Sequence, residues 1–192
     1  MNLLIFFSET GIGGAETNFL KIAEDLKNRG HRIVVLAINE TGPLFKYFKN
    51  IAVYSEIVGP LNKPISLLKK LKKVIEDYQI DIVFNLGLKV ELISRGFSKK
   101  FGVKKIISNI RSTADWRKWY HNFLDRKTAG AVDIWVSNSI SGKNAAIVRK
   151  TAPHHAIRVI YNYIDDKQLP LPKRIDPQFI RIGILSNIKN GK

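Results

Sequence analysis

The apolar run Leu3-Leu4-Ile5-Phe6-Phe7 ends in Ser8-Glu9-Thr10-Gly11-Ile12-Gly13-Gly14-Ala15-Glu16, and from Ala15 onward apolar residues return with a helical period. This sequence of strand, glycine-rich turn and helix restricts the fold more than any other stretch. Glycines let the backbone approach a ligand closely, and the free N–H groups at a helix start, reinforced by the helix dipole, favour negative charge, so the turn reads as a phosphate-binding element. Glu16 stands where a dinucleotide fingerprint would carry its third glycine. The pattern Gly11-x-Gly13-x-x-Glu16 therefore argues against plain NAD binding.

Strand and helix signals alternate along the rest of the chain, which predicts βαβ units and a Rossmann-like, doubly wound parallel α/β sheet of about seven strands with helices on both faces. Strands are expected near 2–7, 32–38, 52–56, 81–85, 105–109, 132–136 and 157–160. The first crossover helix spans about Ala15 to Arg29, with Ala15, Phe19, Ile22, Ala23 and Leu26 on its apolar face and Gly30 as its stop. Continuous apolar runs such as Ile33 to Ile38 suit strands covered on both faces. Pro170, Pro172 and Pro177 interrupt an aperiodic stretch that reads as a linker before the apolar run Phe179 to Leu185.

Several of these segments resemble one family. The first strand followed by Gly13-Gly14-Ala15-Glu16, the run Val132-Asp133-Ile134-Trp135-Val136-Ser137-Asn138-Ser139, and the segment Val159-Ile160-Tyr161-Asn162-Tyr163-Ile164-Asp165 are similar to the N-terminal, acceptor-side domain of retaining family-4 glycosyltransferases with the GT-B fold. Arg181 to Asn187 and Gly191-Lys192 resemble the opening strand and loop of that family's donor-binding domain. The resemblance implies residues 1–166 as an acceptor-side domain, 167–179 as a linker and 180–192 as the start of a second domain. It also implies that these 192 residues alone carry out no transfer. The chain departs from the pattern at Asn85-Leu86-Gly87 and at Arg111-Ser112-Thr113, where the family often has histidines. Tyr163 and Ser186-Asn187 likewise replace a glycine and a Gly-Arg. The Arg111 variant is associated with polysaccharide or lipid-linked acceptors.

The chain has 192 residues, 32 Lys and Arg against 16 Asp and Glu, and no cysteine. Disulfides and thiolate metal sites are excluded, a reducing compartment fits, and a cytoplasmic protein is expected. No apolar stretch reaches the roughly 20 residues of a membrane span. A net charge of +16 asks for an anionic partner. No aromatic-basic pattern or recognition helix points to nucleic acid, and anionic phospholipid at the inner face of the plasma membrane fits better. Two segments are candidates for that surface: Lys69, Lys70, Lys72 and Lys73 opposite the apolar face of Ile65 to Tyr78, and Trp116, Trp119, Tyr120 and Phe123 interleaved with Arg117, Lys118 and Arg126. For both, packing on the sheet or in the core is the competing reading.

The candidate site follows the C-terminal strand ends, where open α/β sheets bind ligands. Gly13 and Gly14 would cradle donor phosphates, with Glu16 either touching sugar or serving the helix dipole. Arg111 would fork onto an anion or pair with Asp115, and Asn85 would bond an acceptor hydroxyl or cap the next helix. Asn138 and Ser139 lie at the cleft edge, Ser139 foremost as an N-cap, and the resemblance adds Lys192. Arg111 and Asn85 are the catalytic candidates; no general base is assigned. Asp133 reads as structural. His31, His121, His154 and His155 lack metal-ligand spacing, so neither a metal nor a cofactor beyond the nucleotide-sugar donor is expected. The rivals are a nucleotide-dependent oxidoreductase using Glu40 at the end of the second strand and a basic nucleic-acid-binding module.

Overall fold

The computed structural model describes residues 1–38, 42–59, 62–113 and 117–162. The expectations that fall on Glu40, Asp115, Trp116, Tyr163, the linker, the Phe179 to Leu185 run and Lys192 lie outside the described residues. Seven strands form one sheet in the order β3-β2-β1-β4-β5-β6-β7, every pair parallel. They are β1 (Asn2–Phe7), β2 (Arg32–Ala37), β3 (Tyr54–Ile57), β4 (Ile82–Leu86), β5 (Lys105–Ile110), β6 (Ile134–Ser137) and β7 (Ile157–Val159). The connecting helices are α1 (Gly14–Asn28), α2 (Phe45–Ile51), α3 (Pro64–Asp77), α4 (Leu88–Phe97), α5 (Trp119–Ala129) and α6 (Ile140–Val148). The expected doubly wound sheet is therefore present, with strand bounds within a residue or two of those read from the sequence.

β1 runs between β2 and β4 and is buried on both faces, which explains its unbroken apolar sequence. On one face Leu4, Phe6, Val34, Leu36, Val83 and Ile106 pack against Leu67, Leu71, Val74 and Ile75 of α3 and Val90 of α4. On the other, Leu3, Ile5, Phe7, Ile33 and Val35 meet Phe19 and Ala23 of α1 and Phe45 and Phe48 of α2. Each such fully buried side chain contributes about 1.5–3 kcal/mol relative to exposure. The strand order reverses between β1 and β4, since β1 leads outward through β2 to β3 whereas β4 leads the opposite way to β7. That crevice is the switch point where ligands enter such sheets.

Two local expectations change. Ile22, placed on the buried face of α1, is 42% exposed. With Phe19 it borders a cavity of about 970 Å³ whose sheet side is Phe84, Ile107 and Val136. β6 starts at Ile134, so Asp133 precedes the strand rather than lying inside it. Its structural role is plain: the carboxylate accepts from the Ile106 backbone N–H at 2.8 Å and pairs with Lys99 at 2.7 Å and Lys105 at 3.2 Å. Burial alone would raise its pKa, and these partners overcome it and hold the group below the usual carboxylate value.

α3 resolves the first lysine segment. Leu67, Leu71, Val74 and Ile75 face the sheet, as its period requires, while Lys70 pairs with Glu56 at 2.7 Å and Lys72 with Glu76 at 3.6 Å. Two of its four lysines thus already face carboxylates, which lowers the positive potential this helix presents.

Candidate functional site

The glycine turn is held from outside. Thr10, fully buried, accepts from the Gly42 N–H through its hydroxyl at 2.9 Å and from the Leu44 N–H through its carbonyl at 3.3 Å. A Cβ on Gly42 would lie 2.1 Å from the Thr10 carbonyl oxygen, so the chain can pass there only as glycine. Gly13 is the extended N-cap of α1 and supplies no side-chain cap, and a Cβ on Gly14 would meet nothing within 4 Å. Among the described residues the first-turn N–H groups of α1 have no side-chain cap from Gly13, at a surface with room for a ligand. Glu16 folds back so that its carboxylate would lie 2.4 Å from a Cβ on Gly13.

Across the crevice, the N-cap of α4 is again a glycine with no side chain to offer, and the Ser8 hydroxyl from β1's end accepts from the Val90 N–H at 3.5 Å. That N-cap, Gly87, has φ +104°, and a Cβ there would lie 2.4 Å from the Ser8 hydroxyl, so β1 and the start of α4 touch at this residue. Between these two helix starts lies a cavity of about 620 Å³, walled by Ser8, Glu9, Ala15 and Glu16 on one side and by Gly87, Leu88 and Lys89 on the other. Its far wall carries Arg111, Arg117, His121 and Arg149. The larger cavity under Ile22 is on the other side of the sheet and touches neither helix start, whereas the smaller one lies between the two helix starts and is the candidate site.

Arg111 stands just past the end of β5 and borders both cavities. Its guanidinium lies 5.1 Å from the centroid of the Phe19 ring and donates to Asn162 Oδ1 at 3.1 Å. Burial pushes its pKa down and the Glu16 carboxylate opposes this, so the two side chains feel one another across the cavity mouth. Arg149 donates to the Thr113 carbonyl and holds the segment after β5 against α6.

Beneath the cavity lies a buried ionic network. Arg95 of α4 is fully buried, with its guanidinium paired to Glu91 at 2.8 Å and to Asp125 of α5, its Nε donating to Ser108 of β5 at 3.0 Å, and its plane 4.3 Å from the Trp135 ring centroid. Arg117 reaches Asp125 from the other side at 2.5 Å. Glu91, which also accepts from the Asn109 N–H at 3.2 Å, has its pKa raised by burial against the pull of Arg95. This network ties α4, α5 and β5 into one floor. Glu91 and Asp125 are thereby matched by Arg95 and Arg117, so the charge the cavity presents is set by Lys89, Arg111 and Arg149 against Glu9 and Glu16. At its edge His121 accepts from the Lys118 N–H through Nδ1 at 3.2 Å, so a neutral ring carries its proton on Nε2.

The remaining predicted residues are dispersed. Asn85 is fully buried within the sheet, between Phe6 and Ser108 in register, and is not on the cavity wall. Neither of its amide atoms has a hydrogen-bond partner among the described residues. Ser139 caps α6, accepting from the Gly142 N–H at 3.0 Å, and Asn138 beside it is half-buried; neither borders the cavity. Lys89, His121 and the Glu91-Arg95-Asp125 network were missed. A helical i, i+4 acid-base pair inside the apolar pattern of α4 was the available signal for the last.

The model of Glycosyltransferase Family 4 matches residues 12–168. No curated protein sequence matches. Among solved structures, Anabaena HepE in complex with UDP is 17% identical with TM-score 0.69, covering 86% of this chain and 45% of its own. The apo form of the lipopolysaccharide outer core galactosyltransferase WaaB is 18% identical with TM-score 0.69, covering 92% and 50%. Acinetobacter baumannii MurG is 13% identical with TM-score 0.62, covering 87% and 46%. The chain thus spans about half the length of these proteins and shares their fold, and the match over most of its residues shows that it belongs to glycosyltransferase family 4.

Proposed function

We propose that the protein transfers a sugar, with retention of anomeric configuration, from a nucleotide-sugar donor to a hydroxyl of a saccharide or lipid-linked acceptor. The observation that carries this reading is the crevice between β1 and β4, where two helix starts with glycine N-caps and Arg111 converge on one cavity. Such a surface suits a diphosphate, whose charge builds up as the sugar leaves. The N–H groups around Gly13 and Gly14 would receive that charge, with Arg111 and Lys89 adding positive potential. A structure of HepE with UDP-glucose, a protein of the same fold, supports the choice of donor class.

In this arrangement residues 1–166 form the acceptor-side domain, 167–179 a linker and 180–192 the start of a donor-side domain to which Lys192 belongs. Glu16, facing Arg111 at the cavity mouth, would orient the donor sugar. The test is a donor screen on the whole protein, reading acceptor-dependent release of nucleoside diphosphate. Release from one nucleotide sugar, lost in Arg111→Ala, is the expected result. Binding of NAD in place of any nucleotide sugar would overturn it.

A further inference from the structure

We infer that the outward face of α5 is a docking surface for anionic lipid bilayer. α5 is amphipathic in the wrong sense for a helix whose outer face meets only water. Its acid, Asp125, is 1% exposed and bound into the Arg95 network, whereas Trp119, Tyr120, Phe123 and Leu124 are 79%, 40%, 50% and 46% exposed. These four occupy adjacent positions over the first two turns and form a continuous ridge, with Trp119 and Tyr120 in edge contact. A patch of this kind is uncommon on a water-facing helix and marks an interaction surface.

Charge selects the partner. Lys118, Arg126 and Lys127 are exposed around the ridge, the Lys127 ammonium lies 5.6 Å from the Phe123 ring centroid, and the outward face carries no carboxylate. A second copy would bring a surface of the same sign, in a chain of net charge +16, against this one. Tryptophan and tyrosine favour the boundary between headgroups and acyl chains, and basic residues beside them meet anionic headgroups. No helix among the described residues is long and apolar enough to cross a membrane, so contact here is lateral. α5 also supplies His121 and Asp125 to the cavity wall from its opposite side, so docking holds the cavity about one helix diameter, about 10 Å, from the lipid surface. That link to a lipid-linked acceptor rests on the proposed transfer; the docking itself does not.

The test is co-sedimentation of the 192-residue chain with phosphatidylglycerol-rich or pure phosphatidylcholine vesicles, followed also by tryptophan fluorescence. Binding to the anionic vesicles that weakens with salt, as a Debye length of about 8 Å at physiological ionic strength requires, is expected. Trp119→Ser/Phe123→Ser/Leu124→Ser should weaken it by at least about tenfold, given the apolar area removed, with an unchanged circular dichroism spectrum and unfolding midpoint. Trp119→Phe should abolish the blue shift while retaining sedimentation, and glutamines at Lys69, Lys72 and Lys73 of α3 should change affinity less than the triple serine variant does. Absence of binding at low salt, equal binding to neutral vesicles, or an unaltered triple variant would overturn the proposal. So would self-association, or binding of single-stranded RNA in place of vesicles, lost in the same triple variant. Because no donor or acceptor is present, a failed transferase assay leaves this result untouched, and the reverse.

Discussion

Removing Asp125 should cost far more stability than a surface ion pair would. In the intact chain Glu91, Arg95, Asp125 and Arg117 sum to zero charge, and the first three are no more than 2% exposed in their side chains. Asp125→Ala removes one of the two carboxylates that face the buried Arg95 guanidinium, and the same carboxylate from Arg117, so the network under the cavity floor loses one negative charge. Breaking a buried pair from one side costs about 3–5 kcal/mol. With a urea dependence of about 1–3 kcal/mol per molar, the unfolding midpoint should fall by on the order of 2 M. At about 2–4 °C per kcal/mol, the thermal midpoint should fall by about 6–20 °C. The matched control is Asp25→Ala, whose pair with Arg29 at 2.8 Å is 58–68% exposed in both side chains and should be worth about 0–1 kcal/mol. Replacing Glu91, Arg95 and Asp125 together by Met, Met and Leu should recover much of the loss, because desolvation of the charges disappears with them. A urea midpoint for Asp125→Ala that shifts no further than the control would refute this role of the buried network.

Gly14→Val should fold normally, since a Cβ there meets nothing within 4 Å, yet lower sugar transfer by the whole protein by 100-fold or so if about 2.7 kcal/mol of charge stabilisation is lost; retained turnover would move the phosphate elsewhere. Gly87→Ala combines φ +104° with contact to Ser8 and should destabilise by more than about 1 kcal/mol. Adding Ser8→Gly should return only the steric part, measured by chemical unfolding. For pH dependence, Lys104 first and then the Asn2 N–H hold Asp81 below its ordinary carboxylate value, and Asp133 is lowered likewise. A depressed folded pKa means stability that is present above the unfolded value of about 3.9 and lost as pH falls through the folded one. The thermal midpoint should therefore drop from about pH 4 downward, and Asp81→Asn with Asp133→Asn should flatten that drop while lowering the midpoint at neutral pH.

The sheet was legible because its causes are local. A strand buried on both faces must be apolar throughout, as β1 and β2 are, and a crossover helix must show the period that Leu67, Leu71, Val74 and Ile75 display. The glycine turn was legible for the same reason, since Gly13 and Gly14 act through backbone N–H groups whose place depends on a strand and helix adjacent in sequence. What crosses the fold was not legible. Asn85 stands next to a strand end in sequence, but α4 closes over that face and buries it, so strand position alone could not say where its amide faces. The sequence left core packing and surface equally open for Trp119, Tyr120 and Phe123; the pull of Arg95 and Arg117 on Asp125 turns one side of α5 inward and sends these three and Leu124 out. His121 entered the cavity wall by that same rotation. Sequence determined the strands, the helices and the phosphate turn, because each follows from a short periodic pattern. The floor of the site and the outward face of α5 were decided by tertiary structure, because charges brought together from α4 and α5 over β5 compete there with the hydrophobic pattern and prevail.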